Sequence, residues 1–458
     1  MPVHNLERFD FRYWLLKPGF VFYFNRLWYR KSVVIGKENI PENTPLMMLS
    51  NHQNALIDPL AIVFNIKGQP VFLARSDIFK GKLVKSLLYF VKILPVFRIR
   101  DGKDNLQQND YTFQRCVEIL RKKKKLCMMP EGNHDKFRKL RPLKKGFARI
   151  AFMSEEAENF NLGLKILPIG IDYGSYYNFR TTLFVNIGKP IDMADFTNDY
   201  KENQPKTMLK LMSRVSEELS KLMIDIQPDE YYDVIYQSLN VFKFEMAEIA
   251  GKNKLTLQEK FIFDKNLIEC FNEMLVAKPE KMDGYRERMN EYQEKLKEYK
   301  IRDWVVRKGA ASGFNLILKV IGLILSLPVF IYGYLNNLIP YYLPLYFTRK
   351  VKDPQFLTTF RYGVSMFSFL VFYILQTLIV WLVSSWEYAL LYLLSLPLTG
   401  LFAFKYYIWF KKLSGLFRFK KLKKSRTKDY AEITELRISI INIIREISEN
   451  KLKFLVKS

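Results

Sequence analysis

Two apolar stretches, residues 364–384 and 388–410, are joined by nothing longer than Ser385-Trp386-Glu387. Each is long enough to cross a bilayer, for which a helix needs about 20 residues, and so short a connection makes them a transmembrane hairpin. Lys405 lies inside the second stretch, near enough to its end to snorkel. Arg349, Lys350, Lys352 and Arg361 precede the pair, and Lys411, Lys412, Lys420 and Lys421 follow it. By the positive-inside rule both ends then face the cytoplasm. An earlier apolar region, 313–331 and 338–347, is interrupted at Asn336-Asn337 and bracketed by Arg307-Lys308 and Arg349-Lys350. With both flanks basic it should cross an even number of times, as a second hairpin or as a re-entrant loop broken near the two asparagines.

Charge narrows the function classes. The chain carries 72 Lys and Arg against 46 Asp and Glu, a formal net charge of +26, which suits an anionic partner: nucleic acid, a membrane surface or acidic protein. Long apolar segments beside the basic runs, and no nucleic-acid-binding motif, disfavour nucleic acid. Attraction to anionic lipid fits, at about 1 kcal/mol per Lys or Arg near the surface. Cys116, Cys127 and Cys270 are scattered without metal-ligand spacing and read as free thiols in a reducing compartment. With only three histidines, His4, His52 and His134, no metal site and no cofactor is expected. Residues 1–10 are charged and lack the apolar core of a signal peptide. Phe11, Tyr13, Trp14, Phe20, Phe22, Phe24 and Trp28 mix with Lys and Arg, so residues 1–30 read as an amphipathic interfacial segment lying on lipid.

Residues 31–205 read as an α/β domain. Val33-Val34-Ile35, Leu46-Met47-Met48-Leu49, Val71-Phe72-Leu73, Val96-Phe97, Leu126-Cys127-Met128 and Ile166-Leu167 are short apolar runs separated by loops and helical patterns. Residues 206–310 form a charged helical region in which no convincing heptad is visible. The membrane hairpins occupy 311–411, and 412–458 is a basic cytoplasmic tail with an amphipathic helix around 430–457.

The second of those strands runs straight into Asn51-His52-Gln53-Asn54-Ala55-Leu56-Ile57-Asp58. An imidazole with an ordinary pKa near 6.5 is the usual general base at neutral pH. His52 and Asp58 are six positions apart, off-face within one helix, so they meet only if the histidine sits on the loop and the aspartate at the mouth of the next helix. Asp58-Pro59 reads as N-cap and first helical residue before Leu60-Ala61-Ile62-Val63. The bland alternative is a helix cap beside a turn histidine.

Three further segments follow in order: Pro95-Val96-Phe97-Arg98-Ile99-Arg100, then Leu126-Cys127-Met128-Met129-Pro130-Glu131-Gly132, then Ile166-Leu167-Pro168-Ile169, with Ile187-Gly188-Lys189-Pro190-Ile191 beyond. Together with the His52 run they resemble the motif blocks of the glycerolipid acyltransferase family, which includes glycerol-3-phosphate and lysophosphatidic acid acyltransferases. The likeness covers roughly residues 20 to 220. Two departures stand out. Five residues, not four, separate His52 from Asp58, and Asn133-His134 stand where the family has Thr-Arg. The role of that arginine must pass to Lys136, Arg138, Lys139 or Arg141, or be absent.

The resemblance implies an enzyme that moves a fatty acyl group from acyl-CoA or acyl-carrier protein to a glycerolipid precursor. His52 would deprotonate the acceptor hydroxyl, with Asp58 fixing its tautomer, and backbone N–H groups near the loop would hold the oxyanion. Arg100, or Arg98 on the same face of a strand, would grip a phosphorylated acceptor. Glu131 would bind the acceptor hydroxyl or organise the adjacent basic loop, and Gly132 would let the backbone turn beside a ligand. Lys136 and Arg138 complete the expected binding set, and His134 is assigned a loop or substrate-contacting role. Length, the C-terminal membrane region and the longer first motif look more like certain glycerol-3-phosphate acyltransferases, with lysophosphatidic acid the alternative acceptor. A degenerate, non-catalytic lipid-binding scaffold is the alternative from another class.

Overall fold

The computed structural model describes residues 5–97, 103–135, 137–351, 353–354 and 356–457, with the side chains of 103–108 and 449–457 left aside. The chain forms two compact units, Met1–Asp225 with Val351–Phe360, and Ile226–Lys350 with Arg361–Ser458.

The first unit is built on a mixed sheet. Its strands are β1 (Lys31–Ile35), β2 (Leu46–Ser50), β3 (Val71–Arg75), β4 (Ile93–Val96), β5 (Lys125–Met128), β6 (Lys165–Tyr173), β7 (Thr182–Ile187) and β8 (Ile191–Asp192). They lie in the order β1-β7-β6-β2-β5-β3-β4, with β8 on β6. All neighbours are parallel except β6 with β7 and β8. Strands covered on both faces read as unbroken apolar runs, and β2, Leu-Met-Met-Leu-Ser, is buried at every position. Helices Lys103–Arg121, Gly146–Glu156 and Gln204–Leu222 add Ile119, Leu120, Phe147, Phe152, Leu211 and Val215 to a core that includes Met47, Leu49, Leu126 and Ile166. Gln204–Leu222 therefore belongs with the sheet, and the unit runs on to Asp225. Gly170 makes that docking possible, because a Cβ there would lie 2.0 Å from the Leu222 carbonyl oxygen.

At the N-terminal side, Asp10 caps the helix Phe11–Phe22 by accepting from the N–H groups of Arg12 and Tyr13, and a π-helical turn, Tyr23–Trp28, follows. Tyr13, Phe24 and Trp28 point into the fold, while Phe11, Trp14, Leu15, Leu16 and Phe22 are exposed. Such two-sidedness is what a segment lying on lipid requires.

The second unit is helical. Tyr232–Ile249, Leu257–Ala277, Pro279–Glu298 and the C-terminal helix Thr427–Lys457 pack together. Pro279–Glu298 does carry a seam, Met282, Tyr285, Met289, Tyr292 and Leu296, all buried at three- and four-residue spacing. The last stretch of the chain is a packed helix, not a loose tail: Ile433, Ile440 and Ile444 are buried. Arg437 donates to Glu245 and Asp303 at 2.8 Å each.

Among the described residues, three helices are long and apolar enough to cross a membrane: Gly313–Thr348, Phe356–Val383 and Trp386–Ser425. The break expected near Asn336-Asn337 is not there. Gly313–Thr348 is one continuous helix despite Pro328, Pro340 and Pro344. Asn336 and Asn337 spend their polarity on neighbouring helices instead: Tyr373 donates to Asn337 at 2.7 Å, Gln376 to the Asn336 carbonyl at 3.0 Å, and Tyr392 to the Asn336 side chain. Interhelical hydrogen bonds of this kind keep polar side chains tolerable in apolar surroundings.

Candidate active site

Strand β2 lies near the middle of the sheet and ends at Ser50, so the loop after it opens at the carboxyl ends of the neighbouring parallel strands, where ligands bind in such sheets. Asn51 extends the ladder with its side chain. Its amide donates to the Ile171 carbonyl at 3.0 Å and its oxygen accepts from the Ile171 N–H at 2.8 Å. This ties the first residue of the loop to β6.

The loop brings His52 to Asp58. His52 Nδ1 lies 2.8 Å from Asp58 Oδ2, which also accepts the backbone N–H groups of Gln53 and Asn54 at 2.8 Å each. The Tyr173 hydroxyl donates to Oδ1 at 2.6 Å. Asp58 is fully buried, while the His52 side chain keeps 18% of its surface exposed. Because Oδ2 is already an acceptor for two N–H groups, Nδ1 carries the proton and donates, leaving the lone pair on Nε2. The same Asp58 interaction leaves Tyr173 with a hydroxyl pKa well above normal, chiefly through burial and then through the adjoining carboxylate.

Asp58 is not the helix N-cap that Asp-Pro suggested. The helix is Ile57–Val63 with Leu56 as its cap, and Asp58 sits in the first turn, where a carboxylate is favoured by the helix dipole. Its oxygens reach backwards to the loop. Within the lengthened run Ala55 has a φ of +42°, in the left-handed region. The Ile57 N–H closes a turn on the Asn54 carbonyl at 2.9 Å. A non-glycine residue there costs roughly 1–3 kcal/mol, offset by the bonds that converge on Asp58.

Glu131 is the second organiser. Its Oε1 accepts the His52 N–H at 2.7 Å, and its Oε2 accepts from the Arg141 backbone at 3.2 Å and guanidinium at 3.0 Å. Burial pushes its carboxyl pKa up, against the pull of Arg141. Both oxygens are thus occupied inside the fold. Gly132 follows at φ +69°, a backbone conformation that a side chain disfavours. Arg138 turns away from an acceptor role, since its buried guanidinium is bonded to Asp172 and to the Tyr173 carbonyl. Arg98, Arg100 and Lys136 lie outside the described residues.

The loop's backbone donors are largely spent. The N–H groups of His52, Gln53 and Asn54 go to Glu131 and Asp58. Left over are side-chain donors: Gln53 Nε2, Asn54 Nδ2 and Arg141 Nη2 are buried with no hydrogen-bond partner among the described residues. Gln53 itself is held through its oxygen, which accepts from the Tyr176 hydroxyl at 2.8 Å. Tyr173 and Tyr176 belong to no motif, and Gln53, though inside the His52 run, carries no expected role there.

His134 packs beside the couple, its ring 5.2 Å from the His52 ring at 87°. Burial, and then repulsion from His52, lowers its pKa from 6.5. The unfolded chain therefore binds a proton at this residue more readily than the native state. The sign follows: the stability His134 contributes is fully present above about 6.5 and is lost as pH falls through the lower native value. Glu131, with its raised pKa, acts in the opposite sense, losing its contribution as pH rises. Subtracting a His134→Gln variant isolates the histidine. The variant's melting temperature should gain on that of the unaltered protein as pH falls from 7.5 to 5.5, and a constant difference would refute the assignment.

Residues 31–172 match the acyltransferase family model. A 1-acyl-sn-glycerol-3-phosphate acyltransferase of Borreliella burgdorferi is 22% identical over 181 residues, 38% of this chain and 66% of that protein. Chloroplastic enzymes of the same name from Brassica napus and Arabidopsis thaliana are 27% and 26% identical over 140 residues, 30% of this chain and 36% and 35% of theirs. The chain thus spans less than two thirds of the length of these relatives. Among solved structures, the 1-acyl-sn-glycerophosphate acyltransferase of Thermotoga maritima is similar at 24% identity, covering 41% of this chain and 71% of that one, with a TM-score of 0.29.

Proposed function

We propose, from the match of residues 31–172 to the acyltransferase family model and from the names of the relatives, that the chain transfers a fatty acyl group from a thioester to a hydroxyl of a glycerolipid acceptor. The observation that carries this reading is the His52–Asp58 couple, closed at 2.8 Å in spite of its extra residue. The altered spacing, a possible symptom of a degenerate scaffold, leaves the geometry of a general base intact.

In the proposed reaction His52 Nε2 takes the proton of the acceptor hydroxyl as its oxygen attacks the thioester carbonyl. Asp58 supports the imidazolium so formed. The tetrahedral oxyanion then collapses, the carbon–sulfur bond breaks, and the thiolate leaves with the proton from Nε2. Products are an ester and a free thiol of coenzyme A or acyl-carrier protein, with no cofactor consumed. With the His52, Gln53 and Asn54 N–H groups engaged, the Gln53 and Asn54 side-chain amides and Arg141 Nη2 are donors available to meet the oxyanion. Phosphate binding falls to Arg100 or Arg98. Arg138 is committed to Asp172, which removes it from the set expected to hold the acceptor.

The relatives' names favour 1-acylglycerol-3-phosphate as acceptor over glycerol-3-phosphate, reversing the preference drawn from length and motif. Membranes containing the protein, given labelled acyl-CoA or acyl-carrier protein and each acceptor in turn, should esterify 1-acylglycerol-3-phosphate fastest. Faster labelling of glycerol-3-phosphate would restore the other order, and labelling of neither acceptor would leave the scaffold reading.

The catalytic domain is proposed to face the cytoplasm. The basic flanks of the apolar helices support this, as does the solubility of acyl thioesters on that side. Cysteines placed at Gly81 and Ser385 discriminate: in sealed right-side-out vesicles an impermeant maleimide should reach Ser385→Cys only. Labelling of Gly81→Cys in intact vesicles would reverse the orientation.

A further inference from the structure

The first compact unit closes with a short segment, Val351–Phe360, remote in sequence from the rest of it. That segment reaches the catalytic loop at two points. Asp353 Oδ2 lies 3.5 Å from His134 Nε2, and the Phe356 ring packs edge-on against the His134 imidazole at 4.9 Å and 84°. A few residues on, the Thr359 hydroxyl accepts the Leu56 N–H at 3.3 Å, one residue past the left-handed Ala55.

These two points coincide with the two places where the sequence departs from the family pattern. His134 stands where an arginine is expected, and Leu56 lies in the loop lengthened by one residue. A T-shaped contact limits rotation of the His52 ring about its own bond, and the Nδ1–Asp58 bond fixes its tilt. Together they define where Nε2 points. Thr359 holds the far side of the disfavoured Ala55 conformation, where the Gln53 and Asn54 N–H bonds to Asp58 hold the near side.

We propose that His134 is a positioning residue for His52, held by Asp353 and Phe356, and that Thr359 braces the lengthened loop, making Val351–Phe360 part of the catalytic apparatus. The proposal rests on the acyl-transfer reading of His52, so its test includes a measurement independent of activity. In this role His134 neither binds the acceptor nor moves a proton; it keeps the base aimed.

The experiment uses the full chain in detergent micelles. Carbethoxylation of His52 by diethyl pyrocarbonate is followed by mass spectrometry, alongside kcat and KM for the thioester. His134→Ala and Asp353→Ala should each raise the His52 modification rate several-fold. Each should lower kcat by about 10-fold, less than the roughly 100-fold that a misplaced catalytic group can cost, with KM for the thioester held within about twofold. Asp353→Asn, which keeps an acceptor for Nε2–H, should recover most of the loss, and Thr359→Ser should recover most of what Thr359→Val removes. The Asp353 side chain is 48% exposed, so its variants remain folded even where His134→Ala does not. An unchanged His52 modification rate in folded Asp353→Ala and Thr359→Val overturns the proposal. A raised rate in a protein that transfers no acyl group would uphold the positioning and refute the enzymatic reading instead.

Discussion

Replacing His52 with alanine should lower acyl-transfer turnover by about 10²- to 10⁴-fold, the usual cost of a lost general base, while the protein stays folded. The structure explains why these effects separate. The His52 side chain is partly exposed and bonds to Asp58, whereas the loop is held by its backbone, through the His52 N–H on Glu131 and the Gln53 and Asn54 N–H groups on Asp58. Those bonds survive the substitution. Single-turnover measurements should show the loss in the chemical step, with thioester binding little altered. If His52→Ala turned over normally and His134→Ala abolished activity, the roles of the two imidazoles would be exchanged.

Asp58→Ala should do more damage, because it removes the acceptor on which four donors converge: the His52 ring, the Gln53 and Asn54 N–H groups and the Tyr173 hydroxyl. Stranding buried donors costs about 1–3 kcal/mol each, and local relaxation recovers part, so a loss of about 3–5 kcal/mol is expected, with turnover as low as in His52→Ala. Asp58→Asn separates structure from charge. Three of the four donors meet at Oδ2, so the amide oxygen takes that place and its NH2 faces Tyr173, whose hydroxyl can turn to accept. The His52 tautomer is then preserved, and the loss reduces to weaker support of the imidazolium, about 10- to 150-fold for a charge-assisted bond worth roughly 1.5–3 kcal/mol. Denaturation midpoints and turnover measured on both variants check this. An Asp58→Asn enzyme as unstable as Asp58→Ala would show that the amide does not keep the loop's bonds.

Much of the first unit was legible because its signals are local. Short apolar runs such as Leu46–Leu49 announce buried parallel strands, and a histidine at the end of one announces a loop at the carboxyl edge. The His–Asp pairing was readable from the same stretch, although the cap was misread: Asp-Pro has the letters of an N-cap and first residue, yet the helix begins at Ile57 and the carboxylate turns back to the loop. What escaped depends on distant contacts. A sequence does not say whether an arginine faces solvent or an aspartate within the fold, so the bond from Arg138 to Asp172 was not foreseen. Tyr173, Asp353 and Thr359 reach the site from far along the chain. The seam of Pro279–Glu298 was hidden because two of its buried positions are tyrosines, which count as polar in a hydropathy pattern while packing as large apolar bodies.

The helix Gly313–Thr348 bears on how many times the chain can pass through a bilayer. A Cβ at Gly313 would lie 3.2 Å from the Lys420 ammonium near the close of the Trp386–Ser425 helix, while Thr348 at the other end accepts from Arg361 near the start of Phe356–Val383 at 3.5 Å. In between, Asn336 is held by Gln376 and Tyr392, which stand on opposite arms at similar distances from the turn at 384–385. Gly313–Thr348 is thus nested between the two following helices, with its middle toward their turn and its termini beside their far ends. If those two helices cross as a pair, their far ends share one face of the bilayer, and both termini of Gly313–Thr348 share it too. Both ends of a 36-residue helix can share one face only if the helix bends, and Pro328, Pro340 and Pro344, each without the N–H that would bond four residues back, are where it can. Gly313–Thr348 would then enter and leave by one face, the even number of passes that basic residues at both of its ends call for.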